Sequence, residues 1–140
     1  MFTIKTEQYF DSAHFLSGYE GKCSNIHGHR WKVEVEIYSK TLSTDTQTRA
    51  MVVDFSDLKR DLTEEADAMD HALIYETGSL KATTLAALTD EGFRMIEVPF
   101  RPTAEEFAKY FFYRMKERGY SVKCACVFET PNNIATYCEN

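Results

Sequence analysis

A chain of 140 residues, 44% hydrophobic and 27% charged, carries enough apolar material to bury the core of one domain, expected to span residues 1–140. Its net charge of −6 argues against a general nucleic-acid coat, which needs a basic face. No run approaches the ~18 consecutive apolar residues of a membrane span, so neither nucleic acid nor membrane is an expected partner.

The opening, "MFTIKTEQYF", alternates apolar and polar residues and predicts a strand over 2–10 rather than a signal peptide. "RWKVEVEIYSK" (30–40) alternates strictly: Trp31, Val33, Val35 and Ile37 share one face, and Lys32, Glu34 and Glu36 share the other. That is the pattern of a half-buried antiparallel strand. Polar turn material follows over 41–50, then a short apolar strand end at 51–55. Ser56 is the expected N-cap of a helix whose stripe is Leu58, Leu62, Ala66 and Met69.

Residues 76–100 are less regular. "SLKATTLAALTDEG" suggests a short helix stopped at Gly92, and "FRMIEVPF" a strand ended by Pro99. The clearest helix starts after Thr103. Glu106 lies three residues on, at capping-box spacing, and Phe107, Tyr110, Phe111 and Arg114 recur at helical intervals before Gly119. A strand over 120–130, a turn at Pro131, Asn132 and Asn133, and a last strand in "IATYCEN" complete the order. The expected class is α+β, an antiparallel sheet with helices on one face.

Four cysteines, Cys23, Cys124, Cys126 and Cys138, occur without an export signal. They are expected to be reduced thiols of a cytoplasmic protein, with Cys124 and Cys126 as small strand residues.

The chemistry concentrates in "KCSNIHGHR" (22–30). In a strand, residues two apart point the same way, so His27 and His29 can aim both imidazoles at one point. Gly28 between them is expected to relieve crowding on the opposite face. A catalytic zinc takes three protein ligands and keeps an open position. His14, in "FDSAHFL", is the expected third ligand. The fourth histidine, His71, follows Asp70, and a carboxylate beside an imidazole can orient it and support its protonated form. Cys23 is open to two readings: a fourth metal ligand, or a thiolate base or nucleophile just outside a three-histidine site.

These segments resemble the 6-pyruvoyltetrahydropterin synthase and 6-carboxytetrahydropterin synthase family. "CSNIHGHR" fits its C-x3-H-G-H signature. "FDSAHFL" resembles its first zinc-ligand segment, "MVVDFSDLK" its strand-to-helix junction, and "MDHALI" its Asp-His pair. "RPTAEEFAKY" looks like its Pro-Thr helix start and "VFETPNN" like its pterin-anchoring glutamate. The three-residue gap between Cys23 and His27 resembles the queuosine-pathway branch; the biopterin enzymes more often carry a longer gap. Two departures stand out. The stretch between His71 and Thr103 is longer than in compact members, and Arg101 stands where an asparagine is common.

The resemblance implies a tunnelling fold: a four-stranded antiparallel sheet with two helices, whose trimers close a barrel and stack into a hexamer with sites between subunits. It implies zinc on His14, His27 and His29, with Cys23, Asp70 and His71 as proton carriers. Glu129 and Thr103 would hold the pterin. The implied substrate is 7,8-dihydroneopterin triphosphate, and the products are 6-carboxytetrahydropterin, acetaldehyde and triphosphate. Lys22, Arg30 and Arg101 are candidates for the triphosphate. No Gly-rich dinucleotide fingerprint occurs, in agreement with a reaction that needs no nicotinamide. Rival readings are the pyruvoyl product, a non-catalytic zinc- or pterin-binding protein, and a structural zinc protein with Cys23 as a ligand.

Overall fold

The computed structural model describes residues 1–140. Its backbone starts with two long strands, β1 (Phe2–His14) and β2 (His27–Ser39), paired antiparallel from Phe2↔Ser39 to His14↔His27. A one-turn 3-10 segment, Lys22–Ser24, lies in the connection. Then come α1 (Phe55–Asp67), β3 (Leu73–Glu76), α2 (Ala82–Asp90), β4 (Met95–Val98), α3 (Ala104–Glu117), β5 (Val122–Thr130) and β6 (Asn133–Cys138). The sheet order is β4-β3-β1-β2-β5-β6.

The alternation in β2 does what it predicts. Trp31, Val33, Val35 and Ile37 are fully buried, while Lys32, Glu34 and Glu36 are only half-buried on the other face. Helices α1 and α3 cover the apolar face with Leu58, Leu62 and Ala66, and with Phe107, Phe111 and Met115. Phe10 stacks on Trp31 and meets Phe107 edge-on, so the first strand, the second strand and the last helix share one aromatic centre. Burying each such side chain contributes about 1.5–3 kcal/mol. No helix is long and apolar enough to cross a membrane.

Several expectations are corrected. The sheet has six strands, and it is mixed rather than antiparallel throughout: β3 pairs parallel to both β1 and β4. The cause is the long stretch after His71. Two parallel strands need a crossover between them, and α2 supplies it. That helix is the short one expected before Gly92; it buries none of its residues and is a third, lightly packed helix beyond the two of the fold implied by the resemblance. The 51–55 segment is not a strand. Asp54 rather than Ser56 caps α1: its carboxylate accepts from the Ser56 N–H at 2.8 Å. Thr103 does cap α3, accepting from the Glu106 N–H at 3.2 Å. The four cysteines are not all thiols, because Cys124 and Cys138 are bridged. They face each other across β5 and β6 with Cα atoms 4.3 Å apart, near the spacing of a close, non-hydrogen-bonded antiparallel pair. Cys23 and Cys126 remain free.

Candidate metal centre and its surroundings

The antiparallel ladder builds the histidine cluster directly. Register places His14 opposite His27, and His29, two residues on, opposite Ser12. All three rings therefore emerge at one end of the helix-covered face. Their centroids are 4.6, 5.1 and 5.0 Å apart, and one nitrogen from each lies within 4.8 Å of the others. Trp31 forms the floor, edge-on to His14 and His29 at 4.8 and 5.2 Å.

Hydrogen bonding prepares the rings for a cation. His14 Nδ1 lies 2.7 Å from the Pro102 carbonyl, and His27 Nδ1 lies 2.7 Å from the Asn25 carbonyl. A carbonyl only accepts, so both rings donate from Nδ1 and Nε2 is the atom left to face a cation, an arrangement typical of metal-ligating histidines. His14 Nε2 and His29 Nε2 are buried with no hydrogen-bond partner. Burial lowers the His14 pKa to about 4 against the helping Pro102 bond, with the two neighbouring imidazoles adding to the shift. His29 is likewise lowered, chiefly by burial, with Glu129 opposing and His27 assisting. Neutral imidazoles with orphaned nitrogens fit a divalent cation with an open coordination position.

Glu129, near the end of β5, places Oε1 3.7 Å from His29 Nε2, so the expected pterin anchor stands beside the cluster. Thr103 follows Pro102, whose carbonyl holds His14; its own hydroxyl is occupied by the helix cap. Cys23 lies on the one-turn segment, half-buried, with its carbonyl accepting from the Leu16 N–H at 2.9 Å. Its sulfur is not among the atoms that converge with the histidines, so the four-ligand alternative lacks its fourth ligand. The reason expected for Gly28 is also corrected. A Cβ there would meet the Ser12 carbonyl oxygen at 3.6 Å, an ordinary contact.

Asp70 and His71 form a second cluster, on the turn after α1. Asp70 Oδ2 lies 2.6 Å from His71 Nδ1, and Oδ1 accepts from the Asp11 N–H at 2.7 Å. The Asp70 hydrogen bond raises the His71 pKa. Burial pushes the Asp70 carboxyl up, but the Asp11 N–H and the His71 ring outweigh it and hold it low. His71 has a side chain 78% exposed and a φ of 51°. A cleft of about 660 Å³ reaches from Gly28, His29 and Arg30 across β1 to His71, with Phe93 and Arg94 on its far wall. Of the triphosphate candidates, Arg30 lines this cleft and stacks on Tyr9 at 4.4 Å. Arg101 instead donates to the Ser17 carbonyl at 2.9 Å. Asp11 and Arg94 were not singled out by sequence. Asp11 sits inside a recognisable segment, but it acts through its backbone, which no motif signals.

The profile of the 6-pyruvoyl tetrahydropterin synthase family matches residues 3–140. The chain is 42% identical over 142 residues to the 6-carboxy-5,6,7,8-tetrahydropterin synthase of Haemophilus influenzae, covering 99% of this chain and 100% of the relative. It is 30% identical to the Synechocystis enzyme of the same name, covering 98% and 93%. Among solved structures, an uncharacterised protein of Wolinella succinogenes superposes with a TM-score of 0.83 at 22% identity, covering 99% and 98%. The Caenorhabditis elegans 6-pyruvoyl tetrahydropterin synthase superposes with a TM-score of 0.69 at 23% identity, covering 99% and 96%. At these identities the superpositions speak to fold alone.

Proposed function

The chain belongs to the 6-pyruvoyl tetrahydropterin synthase family and has its tunnelling fold, and on that premise we propose that it is a zinc-dependent 6-carboxytetrahydropterin synthase of queuosine biosynthesis. Its substrates are 7,8-dihydroneopterin triphosphate and water; its products are 6-carboxytetrahydropterin, acetaldehyde and triphosphate. The observation that carries the reading is the convergence of three imidazoles, two of them with buried, unpartnered Nε2 atoms. The branch is supported by the full-length similarity to proteins named for the carboxy product.

His14, His27 and His29 hold the zinc. When bound, it supplies Lewis-acid stabilisation of oxygen charge developing on the substrate side chain. Glu129 accepts from the two adjacent N–H donors of the 2-amino-4-oxo pyrimidine ring, a charge-assisted bidentate pair that fixes the ring next to His29. Cys23, as thiolate, takes a proton from the substrate side chain. Asp70 holds the Nδ1 proton of His71 and leaves Nε2 free to give or take a proton. Two carriers are needed because protons leave one carbon and arrive at another. Within one chain, the converging metal-site atoms and the Asp70–His71 pair form separate groups, and Cys23 joins neither. The proposed assembly therefore brings a neighbour's Asp70 and His71 to each Cys23, in trimers that stack to a hexamer.

Product analysis by mass spectrometry, with zinc-loaded protein and 7,8-dihydroneopterin triphosphate, tests the reading. Formation of 6-carboxytetrahydropterin with acetaldehyde is the expected result. A pyruvoyl product would keep the site and move the pathway, and intact substrate would leave a binding role only.

A further inference from the structure

Residues 76–100 carry no motif of their own, yet they fold back as α2 and β4 onto the sheet edge and deliver Arg94 beside the turn that bears Asp70 and His71. Arg94 Nη1 donates to the Asp70 carbonyl at 2.6 Å and to the Asp67 carbonyl at 3.4 Å. Nη2 donates to the Ala68 carbonyl at 2.9 Å. The Arg94 carbonyl accepts from the Leu73 N–H at 3.0 Å. On its other side the same turn is held by β1. His71 N–H donates to the Asp11 carbonyl at 2.6 Å, the Ser12 hydroxyl donates to the Met69 carbonyl, and Ala13 N–H donates to the Ala72 carbonyl at 2.9 Å.

We infer that Arg94 is a positioning residue, which grips the carbonyls of Ala68 and Asp70 and so holds the Asp70 carboxylate and the His71 imidazole in alignment for proton transfer. The inference rests on the proposed role of that pair. Ala68 caps α1 and Asp70 lies on the turn just beyond it, and the carbonyls of both accept no backbone N–H. A planar guanidinium can satisfy two of them at once in fixed directions; an ammonium cannot reproduce that fork. The peptide that Arg94 grips at Asp70 is the one joining the two side chains, so its rotation would turn both. His71 also sits in the left-handed region, a conformation that a non-glycine residue keeps only where its surroundings hold it.

Charge and positioning act on His71 in opposite directions, which makes them separable. The charged groups around its ring are Asp70 and Asp11, which raise its pKa, and Arg94, whose positive charge lowers it. If Arg94 acted only as a charge, its removal would raise the His71 pKa. If it positions Asp70, its removal lowers that pKa despite the lost positive charge.

The test is an NMR titration of the imidazoles in zinc-loaded protein, for wild type, Arg94→Met and Arg94→Lys, with the His71 signal identified by His71→Asn. A fall of the His71 midpoint toward 6.5 in Arg94→Met is the expected result. An unchanged or raised midpoint would overturn the inference. If Arg94→Met does not fold, Arg94→Lys keeps the charge without the fork and should shift the midpoint in the same direction; a wild-type titration in that variant overturns it equally. In turnover, kcat should drop about 10–100-fold with KM nearly constant. A raised KM at unchanged kcat would mark Arg94 as a ligand contact instead. Should the wild-type protein turn nothing over, the proposed function fails, while the titration still decides whether Arg94 orders the pair.

Discussion

Cys23 is the residue on which the binding and catalytic readings part. Its sulfur lies outside the cluster formed by His14, His27 and His29; without it, His14 and His27 already have Nδ1 hydrogen bonds, and His14 and His29 have unpartnered Nε2 atoms. Cys23→Ala should therefore retain one zinc per chain by atomic absorption. Turnover should fall by at least about 100-fold, as expected where a positioned proton carrier is removed. Loss of zinc in that variant would restore Cys23 as a ligand and sink its assigned role. Thr103 shows how one side chain can satisfy two descriptions. Its hydroxyl caps α3, and the adjacent Pro102 carbonyl fixes the His14 ring, so the helix start and the histidine cluster are ordered together.

Between elements, the contact with most at stake is polar. Glu65 on α1 is 3% exposed and accepts from Arg114 and Arg118, on and just past α3, at 3.0–3.2 Å. Burial pushes the Glu65 carboxyl up, but the two guanidiniums outweigh it and leave its pKa below the usual 4.5. The carboxylate therefore stabilises the fold above about pH 4.5, and that stabilisation is lost as pH falls through the lower native value. Glu65→Gln should cost about 1–3 kcal/mol at pH 7, because an amide N–H would face a guanidinium. Both arginines reach solvent, which keeps the loss below that of a fully buried pair. Urea unfolding checks the magnitude; the deficit should shrink below pH 4.5. A deficit independent of pH would show that packing, not charge, holds α1 to α3.

The whole molecule offers two sheet edges: β6 at one end, and at the other β4 with the part of β1 that β3 leaves unpaired, since β3 meets β1 only at Ala13↔Leu73. Exposed ladder groups of this kind invite pairing with another chain. The proposed trimers and hexamer use such edges, and light scattering should return a multiple of the 16.2 kDa chain. A sharper measurement mixes two inactive proteins, Cys23→Ala and His71→Asn, through reversible subunit exchange. Sites built across subunits would recover part of the activity, because some interfaces would pair an intact Cys23 with an intact His71. Failure to recover any, with exchange verified by mass, would place both groups of a working site on one chain.

Much of this protein was legible in its sequence, because much of it depends on short-range periodicity. Alternation from Trp31 to Ile37 determined which face of β2 is buried, and the spacing of His27 and His29 determined that their rings share a face. Thr103 and Gly119 marked the ends of α3 through local hydrogen bonding and a positive φ. What depended on distant partners was decided only by the tertiary structure. The short strand β3 has too few residues to show a period, and it exists because β1 and β4 flank it. The bridge between Cys124 and Cys138 follows from the register of β5 against β6, which the spacing of the cysteines does not encode. The contact of Asp70 with His71 required a left-handed turn held by Asp11 and Arg94, residues 59 and 24 positions away from Asp70. Local patterns placed His27 and His29 on a common face, and the register of β1 against β2 brought His14 to them; the packing of remote segments set the alignment of the groups proposed to move protons.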